Sequence, residues 1–129
     1  MPEFEVQRAT ELVYEIGSLL AREPAFGEHW DGIATVAIVE PGVMQLSAFV
    51  YEDGRRPSPA LPGEEFFGLF RELQDSMRTE DGSSWKSALV QIVRATGRLT
   101  IAYEHEDAQR WKLTPANAEA LPEQLRPVP

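Results

Sequence analysis

The densest run of groups capable of chemistry is Tyr103-Glu104-His105-Glu106-Asp107. A metal ion needs its imidazole and carboxylate ligands to converge on one point. In an extended segment neighbouring side chains alternate between faces, so Tyr103 and His105 fall on one side and Glu104 and Glu106 on the other. His105 and Asp107 could supply two ligands, and His29, the other histidine, would have to come from a neighbouring strand. The cluster is therefore expected to be the solvated end of a strand, with no metal and no cofactor.

Other chemistries find less. Ser83 and Ser84 have no histidine near them in sequence, and the chain contains no G-x-S-x-G, no GxxxxGK[ST] and no GxGxxG. The 21 acidic residues are scattered, so some carboxylate pair would match any glycosidase separation by chance. Without cysteine there is neither thiolate chemistry nor a disulfide framework. No catalytic residue is assigned, and the chain is expected not to be an enzyme.

What those residues suit better is gripping a protein. Glu104, Glu106 and Asp107 form an acidic rim, and Trp111 follows between Arg110 and Lys112. A tryptophan beside a charged rim has the composition of a binding hot spot. Arg55 and Arg56 add local positive charge in a loop. Trp111, Glu104, Glu106, Asp107, Arg55 and Arg56 are the candidate partner contacts, whereas Trp30 and Trp85 read as core or sheet-edge packing.

The net charge of −9 repels phosphate backbones and attracts a basic protein, so nucleic acid is not an expected partner. A length of 129 residues suits one domain, residues 1–129, burying roughly two-thirds of its unfolded surface. No apolar run approaches the ~20 residues of a membrane span, and MPEFEVQRATE lacks the grammar of a signal peptide. A cytoplasmic location without membrane attachment is expected.

These groups must be positioned by a small set of elements. Residues 6–22 carry Val6, Ala9, Val13, Ile16 and Leu20 at helical spacing, flanked by Leu12 and Leu19, and Pro24 stops the run. Residues 29–39 and 43–51 read as strands joined by a Pro41-Gly42 turn, each apolar on both faces, so that both faces should be partly covered. Residues 52–63 hold three prolines and two glycines, which argues against regular structure there. A helix over about 64–78 follows, with Phe66, Phe70, Leu73 and Met77 in its stripe. Two strands around a Gly97 turn come next, and then a short helix from Thr114, its N-cap, and Pro115 to about Leu121. The predicted fold class is α+β: a two-layer domain with a four-stranded antiparallel sheet, helices packed on one face, in the order α-β-β-α-β-β-α.

Several of these segments resemble the YezG-like immunity proteins, small bacterial proteins that neutralise toxins. The likeness sits in Phe66-x-x-x-Phe70, in Trp85-Lys86-Ser87-Ala88-Leu89, in Gly97-Arg98-Leu99-Thr100-Ile101-Ala102-Tyr103 and in the acidic exit from Glu104 to Asp107. It spans roughly residues 10–110, and the early Trp30 and the element order are compatible with it. The resemblance implies a non-enzymatic protein that occludes a cognate, basic toxin domain. Two other classes stay open on the residues alone. One is a domain that binds or transforms a small molecule in a pocket between helix and sheet. The other is a homodimer formed through an exposed face of the sheet.

Overall fold

Amphipathic spacing places the first helix. The computed structural model describes residues 6–128, and in it α1 spans Val6–Ala21. Ala9, Leu12, Ile16, Gly17 and Leu20 are its buried positions, whereas Val6 is 55% exposed, so the stripe is centred about one residue away from the expected line. Pro24 has no N–H to continue the helix. The chain instead makes a single 3-10 turn, Pro24–Phe26, whose Ala25 N–H donates to the Glu23 carboxylate at 3.2 Å.

Strand β1 (Gly32–Glu40) turns directly into β2 (Val43–Tyr51). Gly42 sits at φ 73°, the left-handed conformation that the turn demands and that L side chains resist. A third strand, β3 (Ser58–Ala60), then pairs with β2. It corrects the expectation that residues 52–63 hold no regular structure. Its central Pro59 is tolerated because β3 is an edge strand, where a missing donor need not break a ladder on both sides. Helix α2 (Glu65–Ser76) crosses back, and β4 (Ser87–Val93) and β5 (Arg98–Glu104) complete an antiparallel sheet in the order β3-β2-β1-β4-β5. The sheet thus has five strands where four were expected.

The final helix, α3 (Ala120–Gln124), starts later than predicted. Asn117 competes with a Thr114 cap: its Oδ1 accepts the Thr114 N–H at 2.7 Å and its Nδ2 donates to the Lys112 carbonyl at 2.8 Å. Residues 115–119 are consequently turns. Pro122 falls in the first turn of α3, where N–H groups lack helical partners anyway, so it begins a helix instead of breaking one.

Alternation along the strands builds two apolar layers. Ile33, Ala37, Val39, Ala48, Val50, Ala88, Val90 and Ile92 face α1 and α2, meeting Leu12, Ile16, Phe66, Phe70 and Trp85. Ala34, Val36, Ile38, Phe49, Tyr51 and Leu89 face the other way and meet Ala108, Trp111, Leu121 and Leu125. The C-terminal segment therefore covers the second face. That corrects the prediction of helices gathered on one side, and the coverage expected from strands apolar on both faces is present. It also takes the open sheet face away from the homodimer envisaged above.

Candidate functional site

Strand β5 ends at Glu104, and the side chain of Glu104 organises the turn that follows it. One carboxylate oxygen accepts the backbone N–H groups of Glu106 at 3.2 Å and Asp107 at 3.4 Å, and the other accepts from the Arg110 guanidinium at 3.1 Å. These donors, the Glu106 amide first and then Arg110, favour the ionised form and hold the Glu104 carboxyl below its ordinary pKa. Asp107 in turn accepts the Gln109 N–H at 3.0 Å. Glu106 and Asp107 themselves remain exposed. The result is an acidic turn already fixed in shape.

The turn is anchored from beneath by Ala108 and Trp111. Trp111, predicted as a contact residue, is only 7% exposed and packs in the second core. Arg110 lies over it, with its guanidinium carbon 5.1 Å from the ring centroid. Of the six predicted contact residues, the structure brings Glu104, Glu106, Asp107 and Trp111 together. Arg55 and Arg56 are elsewhere: they follow the Tyr51 end of β2, which pairs with Gly32, whereas Glu104 pairs with Ser87 beside the far end of β1. Both are exposed, and Arg55 pairs locally with Glu52 at 3.4 Å. Seven or more residues of strand separate the two groups, roughly 20 Å or more. The same geometry parts His29, just before β1, from His105, just after β5. Among the described residues no three His, Asp or Glu side chains group as metal ligands.

A cleft of about 550 Å³ opens between the C-terminal half of α2 and this end of the sheet. Arg71, Arg78, Lys86 and His105 line it together with Glu40 and Asp75. Gln74 builds its floor by donating to the carbonyls of Val39 at 2.7 Å and Trp85 at 2.8 Å. Arg78 is engaged by Asp75 at 2.9 Å and the Gly82 carbonyl at 2.7 Å. Ser83 and Ser84, remote from any histidine in sequence, do share the cleft with His105. Their hydroxyls nevertheless donate elsewhere, Ser83 to Asp81 at 2.6 Å and Ser84 to the Gln74 carbonyl at 2.8 Å. Ser83 and Thr79 together pull the Asp81 carboxyl down to about 2. This is a hydrogen-bonded loop closure, in which both serine hydroxyls are bonded within the loop and to the end of α2.

A second groove, about 660 Å³, runs between α1 and the β4–β5 hairpin. Val13, Tyr14, Ile92 and Leu99 make it largely apolar, and Arg94 closes one end. Arg94 stacks 3.9 Å over the Trp30 ring and donates to the Trp30 carbonyl at 2.6 Å. Neither Arg94 nor Gln74 was singled out from the sequence. Gln74 carried a weak signal, because it lies next to the apolar stripe of α2. Arg94 carried none, since its partner is 64 residues away.

No family model matches the chain, and no curated protein matches it either.

Proposed function

We propose that this chain is a binding protein with no reaction of its own, an immunity-type protein that neutralises a basic toxin domain by covering it. The observation that carries the reading is the fixed acidic turn. Glu104 spends its carboxylate on ordering residues 104–110, which leaves Glu106 and Asp107 presented on a backbone that need not be immobilised on binding. The charge of −9 supplies long-range attraction to a basic surface. The likeness of the Gly97–Tyr103 strand and its acidic exit to YezG-like immunity proteins points the same way.

The test is capture of a partner from the native host by the purified chain. A basic protein is expected, held less tightly as salt rises and roughly tenfold less tightly by the double substitution Glu106→Gln, Asp107→Asn. Recovery of chaperones and housekeeping proteins alone sinks the proposal. So does a partner indifferent to both salt and the substitutions.

A second reading rests on the α1–hairpin groove, whose apolar walls and terminal Arg94 suit a small apolar molecule with an anionic end. Thermal-shift screening against medium-chain carboxylates separates the two readings. Stabilisation that disappears in Arg94→Ala supports the groove, and its absence leaves the acidic turn as the site.

A further inference from the structure

The two edges of the sheet are built very differently. On one side β3 is three residues long, contains Pro59 and follows the Arg55-Arg56 loop, features that blunt an edge against pairing. On the other, β5 runs for seven residues without proline, lysine or bulge. Among the described residues, 99–103 make no backbone hydrogen bond beyond the ladder to β4. Alternate N–H and C=O groups along β5 therefore face outward with no protein partner.

The same side carries uncovered apolar surface. Leu99, Ile101 and Tyr103 point toward the α1 layer yet are only partly buried. Above them Tyr14 is 77% exposed, and an open groove lies between it and Tyr103. An unpaired edge flanked by half-buried apolar side chains is what a sheet continued by another strand leaves behind when that strand is removed.

The sequence of β5 says which strand fits. We propose that β5 pairs antiparallel with β5 of a second copy of this chain, about a two-fold axis at Ile101, to make one continuous ten-stranded sheet. In that register Arg98 stands opposite Glu104 at both ends, Leu99 opposite Tyr103, and Ile101 opposite itself. Every cross-strand pair is thereby charge-opposed or apolar, apart from Thr100 against Ala102, which is neutral. Arg98 is exposed and takes part in no ion pair among the described residues; opposite Glu104 it joins Arg110, which already holds that carboxylate at 3.1 Å, so that two guanidiniums share one carboxylate. A two-fold perpendicular to the sheet keeps each face in register, as an isologous contact requires. It also sets the two copies of α1 side by side over the joined sheet, where each covers the Tyr14 of the other. The self-complementary order of β5, a basic and an acidic end about an apolar centre at Ile101, is what selects a second copy over an unrelated strand. This assembly goes beyond toxin binding and does not depend on it.

The test needs only the full chain. Sedimentation equilibrium at micromolar concentration is expected to show a reversible dimer, and Arg98→Glu, which sets like charges opposite at both ends, is expected to weaken it roughly tenfold. Because the chain has no cysteine, single cysteines report the register. Ile101→Cys places two thiols at directly paired positions, within reach of a disulfide, whereas Arg98→Cys places them a strand length apart. Cross-linking at 101 and not at 98 is the expected result. If the 101 variant misfolds by circular dichroism, an equimolar mixture of Thr100→Cys and Ala102→Cys gives the same information as a mixed disulfide. A wild-type chain that stays monomeric, or cross-links that form equally at 98, overturns the proposal.

Discussion

Glu104 shows how one partly exposed side chain can fix the shape of a turn. Its carboxylate ties two amides and Arg110 into one turn, so Glu104→Gln, which keeps shape but removes charge, should loosen residues 105–110 selectively. Faster amide exchange at Glu106 and Asp107, with strand amides unchanged, is the expected result. The depressed carboxyl has a matching pH signature. A group whose folded pKa lies below its unfolded value stabilises above the ordinary carboxylate range and loses that contribution as pH falls through the folded value. The amide resonances of Glu106 and Asp107 should therefore shift together below about pH 4.5. The tyrosines act at the opposite end of the scale. Burial raises Tyr103 to about 12 and raises Tyr51 as well, against an ordinary value of 10.0. A raised folded pKa means stability that is intact below the unfolded value and lost as pH climbs past it. Urea midpoints should accordingly begin to fall above pH 10.0, with phenolate absorbance lagging that of the unfolded chain.

At the scale of elements, the hairpins and the long helices follow from short-range rules. Gly42 at the β1–β2 turn adopts positive φ, and Gly42→Ala should cost about 1–2 kcal/mol in equilibrium unfolding without altering the sheet. The elements that departed from expectation did so for two reasons, a partner strand in one case and a competing side chain in the other. β3 exists because β2 offers it an edge to pair with, despite a composition that speaks against a strand. α3 was displaced because Asn117 spends both ends of its amide on Thr114 and Lys112. A capping preference is worth about 1 kcal/mol, which a local hydrogen-bonded alternative can outweigh. Trp111 illustrates the same limit at the candidate site, since its exposure depends on whether the second sheet face is covered.

For the whole molecule, the decisive feature is that the C-terminal segment closes the second layer. Leu121 and Leu125 are 3% exposed against Phe49, Tyr51 and Leu89, and the Tyr51 hydroxyl donates to the Pro122 carbonyl at 2.6 Å. Leu125→Ala should cost about 2–5 kcal/mol by removing buried apolar volume. Because the segment also carries Trp111, which supports the acidic turn, the same substitution should loosen the Glu104 loop. Retention of full stability in chemical denaturation would show that the segment is an appendage and not a layer.

The sequence by itself determined the helical and strand periods of α1, α2, β1, β2, β4 and β5, the turns at Gly42 and Gly97, and the separation of Tyr103 and His105 from Glu104. Each depends on neighbours a few residues apart, where backbone geometry and side-chain alternation leave few options. Only the tertiary structure decided the strand order β3-β2-β1-β4-β5, the burial of Trp111, the distance between Arg55 and Glu104, and the open edge at β5. Those depend on which apolar surfaces meet across tens of residues, and hydrophobic burial rewards area without naming its partner.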